Sequence, residues 1–419
     1  MKKLLVIFED ERHGNFASLS LLRPTYFLRS GMTELWAHLK RSFPGYDLRF
    51  EARPHLAYPV KRHSGLPVND FNFHDYDRVA LVNGTLIPDE EFLDQIEACD
   101  SETAFVSDSV VGAFVIAGDS DCAREYAQIK HQPGKYTPFA SSLKHVTDYT
   151  FKSYRYIWDL MQHSPDNIRR DFALAVSESG APAGANQAGR LDGSHVIAPE
   201  DVFVHPEAEI GPTVVIDASQ GPVYIGRDAI VEPHSYVRGP FYLADGASLL
   251  GGRFSGSSVG PVCQVGGELE ECVLQGYVNK HHAGFIGHSY VGEWVNFGAM
   301  TTNSDLKNNY STVRVSVGGQ LIDSGQTKVG AFIGDHTKFG IGTLLNTGLN
   351  IGVFCNIFGG SLVSDKEVAS FSWGSSGSWS EHAIDKALET ARRALSRRGC
   401  ELSSEDEKLI RLLRGSTKR

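Results

Sequence analysis

The sequence lacks the features of disulfide-stabilised, membrane-spanning and nucleic-acid-binding proteins. Its six cysteines are scattered without a C-x-x-C pair, which is typical of reduced thiols rather than of disulfides or a zinc site. No apolar run is long enough to span a membrane, and the apolar start before Glu9 is too short for a signal peptide. The formal net charge is −10, and no basic stripe carries interleaved aromatic residues. We therefore expect a cytoplasmic protein without membrane or nucleic-acid partners, although nucleotide ligands stay open.

The first part of the chain alternates apolar strands with helices. Residues 4–8 and 79–82 are continuous apolar runs, typical of strands buried on both faces. A helix is predicted near Thr33, and a second after Pro88, where the first turn is acidic. Further strands are predicted at 104–106 and 113–116, and two closing helices at 154–162 and 165–175. This order predicts an α/β domain over residues 1–176 with a partly parallel sheet.

A different pattern begins after residues 177–194, which are rich in alanine, glycine and proline and which we interpret as a linker. Apolar residues now recur every six positions, and the two longest runs in register are Ile225, Val231, Val237, Leu243 and Leu249, and Ile333, Phe339, Leu345, Ile351, Ile357 and Val363. A step of six is typical of a β-helix with short strands on the flat faces of a triangular coil. The alternative, a β-sandwich with period two, does not explain that step. We assign residues 195–365 to this repeat.

Residues 366–419 are predicted to form a helical tail. Ser378 with Glu381, and Ser404 with Glu407, have the spacing of capping boxes before two amphipathic helices. Gly399 is a plausible C-terminal cap of the first helix. We expect the tail to cover an open end of the coil or to pack against a neighbouring subunit.

Three stretches carry a resemblance to a known enzyme family. They are NKHHAGFIGHSYVGEWVNFGAMTTNSDLKNNYSTV at residues 279–313, VGAFIGDHTKFGIGTLLNTG at 329–348, and the weaker RP…LRSG near the N-terminus. The chain resembles the bifunctional UDP-N-acetylglucosamine diphosphorylase/glucosamine-1-phosphate N-acetyltransferases, in a divergent form with a shortened N-terminal half. The resemblance implies an α/β nucleotidyltransferase-like domain, a left-handed parallel β-helix of hexapeptide repeats and C-terminal helices. It also implies a homotrimer with active sites between adjacent coils.

The function implied by the resemblance is the synthesis of a nucleotide sugar. Acetyl-CoA would acetylate an amino-sugar phosphate such as glucosamine-1-phosphate, and nucleotidyl transfer to a sugar-1-phosphate would give UDP-N-acetylglucosamine. Two alternatives stay open. One is a nucleotidyltransferase whose β-helix serves assembly only, and the other is a non-catalytic scaffold that binds sugar nucleotides.

Acetyl transfer to an amine needs a base for the ammonium proton and donors for the thioester oxyanion. When Phe285-Ile286-Gly287 is aligned with the family's tyrosine-leucine-glycine, His282 falls on the catalytic histidine. Neighbouring side chains of an extended segment point to opposite faces, so only one of His281 and His282 can face a given cleft. His281 as the base, or a structural or surface role for both, stays open.

The resemblance and the local composition assign further residues to the two substrates. The expected acceptor ligands are Lys280, Asn296, Arg238, Asn303 and Asp305, and the expected acetyl-CoA contacts are Gly298, Ala299 and Asp335. The alternatives are a solvated Lys280 and a solvated loop over residues 302–310. Phe285 stands where the family has a tyrosine, and Met300 interrupts the family's IGAG, so the acyl acceptor or donor could differ.

The N-terminal half departs further from the family. Nucleotidyl transfer needs a phosphate-binding loop, a cation and a carboxylate for Mg²⁺, but the family's G-x-G-T-R loop is absent. The nucleotide-binding candidates are Asp10, Arg12, Arg23 and Arg29. Thr85 stands in place of the family's metal aspartate, and Asp89 is a candidate substitute. Mg²⁺ would be required only if this domain is active, its ligands are left unassigned, and an inactive domain is the alternative.

Overall fold

The computed structural model describes residues 1–100, 102–143, 145–148, 150–179, 191 and 193–416. The chain divides into two compact units. The first comprises Met1–Phe16, Ser20–Leu28 and Thr33–Tyr156, and the second comprises Ala17–Leu19, Arg29–Met32 and Ile157–Arg419. The predicted linker at 177–194 lies mostly outside the described residues.

The first unit is built on a mixed sheet, which has six strands among the described residues. Their order is Tyr46–Phe50, Lys3–Phe8, Arg78–Asn83, Val110–Ile116, Thr103–Ser107 and His145–Asp148. The first three are parallel, Val110–Ile116 is antiparallel to both neighbours, and the last two are parallel. The predicted α/β domain with a partly parallel sheet is confirmed.

Helices alternate with the strands of this sheet, and the last two before the solenoid, from Ile157 onward, belong to the second unit. The α-helices before the solenoid are Ala17–Ser20, Leu35–Ser42, Ala57–Ser64, Glu90–Ala98, Asp121–Ile129, Tyr136–Ser142, Ile157–Gln162 and Ser164–Glu178. Short 3₁₀ helices lie at Glu11–Phe16, Thr25–Phe27, Pro54–Leu56, Phe73–Asp75, Pro133–Lys135 and Pro199–Asp201, and two-residue strands at Arg29–Ser30, Thr33–Glu34, Leu86–Ile87 and Lys152–Ser153. Completely buried side chains such as Leu4, Val6 and Phe114 form the core of the first unit.

The second unit is a parallel β-solenoid with three faces. Strands of the first face are His195–Ile197, Val215–Asp217, Ser235–Arg238, Phe285–Gly287, Thr302–Asn303, Leu344–Leu345 and Leu362–Val363. Strands of the second face are Val202–Val204, Val223–Ile225, Phe241–Leu243, Ser258–Val259, Val273–Leu274, Tyr290–Val291, Ala331–Ile333, Leu349–Ile351 and Glu367–Val368. Strands of the third face are Glu209–Ile210, Ile230–Val231, Asn279–Lys280, Asn296–Phe297, Lys338–Phe339, Asn356–Ile357 and Ser372–Ser375. Two longer strands, Ser248–Ser255 and Gln264–Glu270, turn from the third face onto the first.

The six-residue repeat forms the core of the solenoid. Every member of the two predicted runs, from Ile225 to Leu249 and from Ile333 to Val363, is at most 3% exposed and belongs to one apolar cluster. Short parallel strands with one inward apolar side chain each explain the period. The hexapeptide β-helix predicted from the sequence is confirmed. Its regular coils are interrupted by an insertion that contains the antiparallel hairpin Arg314–Val317 and Gln320–Asp323.

The two predicted tail helices are confirmed, but the solenoid continues past residue 365, because Glu367–Val368 and Ser372–Ser375 are still strands of its faces. The helices are Ile384–Ser396 and Ser404–Ser416. The capping box predicted at Ser378 is wrong, because Ser378–Glu381 is a strand paired with Ser372–Ser375. The second box lies one residue earlier than predicted: Ser403 Oγ accepts the Asp406 N–H, and the Asp406 carboxylate accepts the Ser403 N–H, each over 3.1 Å.

Gly399 ends the first tail helix as predicted. Its φ of +68° is left-handed, and the next N–H bonds back to a carbonyl of the last turn. No described helix of the chain has the length and apolar character needed to cross a lipid bilayer.

Candidate functional site

His281 and His282 lie at a corner of the solenoid, between the third-face strand Asn279–Lys280 and the first-face strand Phe285–Gly287. Both side chains are exposed, and their ring centroids are 5.0 Å apart with the planes nearly perpendicular. The prediction that only one could face a given cleft assumed an extended backbone. At this corner the two exposed rings instead lie next to each other.

Lys280 supports this corner from inside. Its side chain is buried, and its ammonium donates to the carbonyls of Gly266 (2.6 Å) and His282 (3.2 Å). Burial lowers the pKa of Lys280 to about 8. The expected roles as a phosphate ligand or a solvated side chain are therefore corrected. The Lys280 ammonium instead fixes the backbone that carries His282.

The first face next to this corner presents a polar ladder in register. Tyr236, Arg253, Glu268 and Phe285 follow one another on successive coils, and the Arg253 guanidinium lies over the Tyr236 ring. Arg253 and Glu268 line a small cleft of about 40 Å³, and Arg238 lines it as well. The structure thus places the predicted Arg238 beside Arg253, which the sequence analysis missed. The six-residue pattern marks inward-facing positions only and gives no signal for outward ones such as Arg253.

A second titratable cluster lies at the corner between the first and second faces. His288, 5% exposed, places Nδ1 2.7 Å from Asp305 Oδ2 and Nε2 3.4 Å from Glu271 Oε2. Next to it, the Lys328 ammonium lies 3.1 Å from the Glu270 carboxylate. The cluster joins the start and the end of the insertion to the solenoid wall. His288 was missed because its partners come from other coils.

The charges in this cluster stabilise each other. Burial opposes a charge on His288, but hydrogen bonds to Asp305 and Glu271 outweigh it and raise the pKa of His288 to about 9. For Asp305, burial favours the neutral form, but the bond to His288 prevails and lowers its pKa. At neutral pH His288 is thus a cation, and its Nε2 donates to Glu271. We interpret the cluster as an ion-pair network.

The insertion residues expected to bind substrate are engaged within the protein. Asp305 pairs with His288, as described. Asn303 is buried, and its carboxamide accepts the Gly287 N–H (2.8 Å) and donates to the Gly287 carbonyl (2.9 Å). Their assignment as acceptor ligands is therefore corrected to that of anchors for the insertion.

The residues expected at the acyl donor lie on the coils after the histidine corner. Gly298 approaches the next coil so closely that a Cβ would stand 2.5 Å from the Gly340 carbonyl carbon. The Ala299 carbonyl accepts the Gly342 N–H over 2.8 Å. Asp335 is buried and accepts the Glu293 N–H over 2.6 Å. Asp335 therefore holds a corner together, which corrects its assignment to the acyl donor.

Asn296, expected on the sugar, lies on the third face. Its side-chain oxygen accepts from the Asn279 carboxamide over 2.7 Å. It is partly exposed and lines a cleft of about 250 Å³ between this face and the first tail helix. Of the expected acceptor ligands, Asn296 and Arg238 reach surface clefts, on two different faces.

In the first unit, Asp10 and Arg12 meet at the carboxyl ends of two parallel strands. Arg12 Nε lies 2.8 Å from Asp10 Oδ2, and its other nitrogens donate to Thr85 (3.1 Å) and Ser153 (3.2 Å). The Asn83 carboxamide also donates to Asp10, over 2.8 Å. This network is the candidate nucleotide site. Asn83 and Thr85 follow a strand that the sequence analysis identified, but their role there was missed.

Of the other two expected nucleotide ligands, Arg29 lies elsewhere, and the role of Arg23 stays a prediction. Arg29 belongs to the second unit, where its N–H donates to Gln275 (3.1 Å) and Tyr290 (2.8 Å) and its guanidinium lies over the Tyr242 ring. Arg23 is buried, and its carbonyl accepts from the Arg53 guanidinium. The expectation that Arg29 binds the nucleotide is corrected, because Arg29 joins residues 29–31 to the second face of the solenoid.

The carboxylates of the nucleotide site do not fit Mg²⁺. Both oxygens of Asp10 accept N–H groups, from Arg12 and from Asn83, so a guanidinium already neutralises the charge that a metal ion would need. Asp89, the expected substitute, is the N-cap of the helix Glu90–Ala98 and accepts the Phe92 N–H over 2.9 Å. That expectation is corrected, and no step below passes through a metal ion.

Comparisons with known proteins find similarity over parts of the chain. Residues 5–179 match the family described as sugar nucleotidyl transferase. A segment of 97 residues is 37% identical to the bifunctional sugar-1-phosphate nucleotidylyltransferase/acetyltransferase of Sulfurisphaera tokodaii, covering 23% of this chain and 24% of that protein. A segment of 103 residues is 28% identical to the bifunctional protein GlmU of Methanocaldococcus jannaschii, covering 25% of each.

The matched segments span about a quarter of the length of these relatives. Among solved structures, LpxA from Acinetobacter baumannii aligns with 48% of this chain and 77% of its own at 18% identity and a TM-score of 0.28. Residues 5–179 are thus similar to the sugar nucleotidyl transferase family, and a segment of the chain is similar to a bifunctional nucleotidylyltransferase/acetyltransferase.

Proposed function

We propose that the solenoid transfers the acetyl group of acetyl-CoA to the amine of an amino-sugar phosphate, of which glucosamine-1-phosphate is the first candidate. We propose further that the N-terminal domain transfers a nucleotidyl group to a sugar-1-phosphate. The observation that carries the first proposal is the exposed His282, on a corner that the buried Lys280 ammonium holds in place. The similar protein of Sulfurisphaera tokodaii is named a bifunctional sugar-1-phosphate nucleotidylyltransferase/acetyltransferase.

The acetyl transfer would be a direct displacement. The sugar amine attacks the thioester carbonyl, the carbon–sulfur bond breaks, and coenzyme A leaves as its thiol. The proton released by the amine passes to His282, because imidazole is the side chain most often used for this task. Backbone groups around Gly298 and Ala299 are the candidates for binding the donor. Their coil is tied to the histidine corner, since the Met300 N–H donates to the Ala283 carbonyl over 2.8 Å.

The two departures from the family lie at this corner. Phe285 is half-buried in the first-face ladder and lacks the hydroxyl of the family's tyrosine. The Met300 side chain is 61% exposed. Both changes add apolar surface next to His282, which is compatible with an acyl group larger than acetyl. Longer acyl-CoA donors therefore belong in any substrate panel.

For the N-terminal domain, Arg12 is the proposed phosphate ligand. A guanidinium fixed by Asp10, Thr85 and Ser153 presents a rigid set of N–H donors at the strand ends, as phosphate oxygens require. A loss of nucleotidyl transfer in this divergent domain would leave sugar-nucleotide binding as its role.

We propose a homotrimer as the working form. Several large apolar side chains are exposed on the later coils, among them Leu344 and Leu362, which are neighbours on the first face. Such a patch is typical of a protein interface. All six cysteines are free thiols, which favours a reducing compartment such as the cytoplasm.

A substrate panel on the purified chain tests the proposed function. Coenzyme A release and pyrophosphate release are scored for amino-sugar phosphates with acyl-CoA donors and for sugar-1-phosphates with nucleoside triphosphates. Release of both products is expected. Pyrophosphate release alone would mean that the solenoid serves assembly only, and release of neither would mean a binding scaffold. Either outcome contradicts the proposal of acetyl transfer.

A further inference from the structure

The cleft that Asn296 lines has walls from two separate elements of the second unit. One wall is the third face of the solenoid, and the other is the end of the helix Ile384–Ser396. Its lining residues are Gln264, Tyr277, Asn279, Trp294, Val295, Asn296, Lys338, Ala394, Arg397 and Arg398. Its volume of about 250 Å³ is enough for a small phosphorylated molecule or part of a larger one.

The charges in this cleft are of one sign. Its lining includes Lys338, Arg397 and Arg398 but no acidic residue, although acidic residues outnumber basic ones 50 to 40 in the chain. Within the described part of the chain, neither Arg397 nor Arg398 takes part in an ion pair. Arg393, one turn earlier on the same helix, is exposed, and its guanidinium forms an ion pair with the Glu389 carboxylate. An uncompensated group of three cations favours an anionic ligand.

Basic residues at a helix C-terminus also have a structural explanation, because they interact favourably with the helix dipole. That explanation covers Arg397 and Arg398 but not Lys338, which lies on the opposite wall. The Lys338 ammonium donates to the Trp294 carbonyl, and its side chain lines the cleft. Burial lowers the pKa of Lys338 to about 8, so it is mostly charged at neutral pH.

The neutral lining of the cleft complements these cations. Gln264, Asn279, Asn296 and Lys338 occupy one register position on four successive coils, so three carboxamides lead up to the ammonium. Carboxamide N–H groups and cations together are the donors that phosphate oxygens accept. At one side the rings of Tyr277 and Trp294 stack at 4.2 Å, which adds a flat apolar surface.

We propose that this cleft binds a phosphate ester through Lys338, Arg397 and Arg398, with the carboxamide ladder as its polar floor. The strand Asn279–Lys280 runs from the cleft directly to His281 and His282, and Asn296 is followed by the coil of Gly298. The site therefore adjoins the proposed acetyl-transfer corner, and it replaces Lys280 as the source of the phosphate contact. The existence of the site does not depend on the proposed function, but the source of its ligand, the sugar phosphate or the phosphates of coenzyme A, does.

Calorimetric binding to the full chain, without turnover, tests this site. Inorganic phosphate, glucosamine-1-phosphate and coenzyme A are titrated into the wild type, the double variant Arg397→Gln/Arg398→Gln, the single variant Lys338→Gln and the control Arg393→Gln. We expect wild-type binding of at least one probe, weakened by about tenfold or more in the double variant and unchanged in the control. Thermal unfolding checks that each variant is folded. If Lys338→Gln does not fold, calorimetric binding by the double variant at the helix end still tests the proposal.

The titrations with glucosamine-1-phosphate and with coenzyme A distinguish the two ligand sources. Weaker binding of glucosamine-1-phosphate alone assigns the cleft to the acceptor, and weaker binding of coenzyme A alone assigns it to the donor. The proposal is overturned if the wild type binds none of the probes, or if the double variant binds them as the control does. The wild type could bind a probe but release no coenzyme A. If binding is then lost in the double variant, the phosphate site in the cleft is upheld and the proposed acetyl transfer is refuted.

Discussion

The His288 imidazole donates to the Asp305 carboxylate over 2.7 Å and thereby ties the first residues of the insertion to a corner of the solenoid. The second ring nitrogen faces Glu271, which accepts from it in turn and whose pKa is lowered by this bond. The imidazole thus connects two coils and the insertion. Its charge makes this connection dependent on pH.

Replacing His288 should change how stability depends on pH. The pKa of His288 is about 9 in the folded chain, above its ordinary value of 6.5. Its contribution is therefore fully present below about pH 6.5 and is lost as the pH rises through about 9. A shift of this size corresponds to about 3 kcal/mol at most. Urea unfolding between about pH 7 and pH 10 should show a steeper loss of stability in the wild type than in His288→Gln. Equal pH slopes would contradict this account.

The close approach of two coils at Gly298 should make Gly298→Ala destabilising. Its Cβ would stand 2.5 Å from the backbone of Gly340, which cannot move away without disturbing the coil. We expect a loss of about 1–3 kcal/mol in the free energy of unfolding. The control is Gly415→Ala in the last helix, where nothing lies within 4 Å of the new Cβ. Equal melting temperatures for the two variants would contradict the crowding at Gly298.

Asp89→Asn should leave nucleotidyl transfer and stability nearly unchanged. Asp89 acts as a helix N-cap, and asparagine caps helices about as well as aspartate. Asp89→Ala should lower the free energy of unfolding by about 1 kcal/mol. Pyrophosphate release and thermal unfolding are measured for both variants. If a folded Asp89→Asn variant lost pyrophosphate release, Asp89 would instead be needed as a charged group.

Arg12→Ala should separate the two proposed activities. Removing the guanidinium takes away the phosphate contact at the strand ends, so pyrophosphate release should fall about tenfold or more. Coenzyme A release should stay within about twofold, because Arg12 lies in the other unit of the chain. Arg124→Ala is the matched control, since Arg124 is exposed and pairs only locally with Asp121. Equal pyrophosphate release by Arg12→Ala and the control would exclude Arg12 from the nucleotide site.

The fold was largely predictable from the sequence, and the side-chain partners in the site were not. Val237 or Phe339 can be identified as core because each belongs to a local apolar repeat that depends on no distant contact. By contrast, Lys280 looks like a surface cation, but its side chain is buried and its ammonium donates to the Gly266 carbonyl of the neighbouring coil. His288 and Asp305 likewise meet because an insertion folds back onto the wall. Side-chain roles that depend on register between coils have no signature within a short stretch of sequence.

The central claim is that His282 accepts the proton in acetyl transfer, and coenzyme A release from acetyl-CoA and glucosamine-1-phosphate tests it most directly. His282→Gln should lower kcat by about a hundredfold or more. His281→Gln, its exposed neighbour, should stay within about threefold of the wild type. Unfolding curves should be alike for the three proteins, since both rings lie at the surface. Full coenzyme A release by a folded His282→Gln variant would contradict the account, and a selective loss in His281→Gln would move the base to the neighbouring residue.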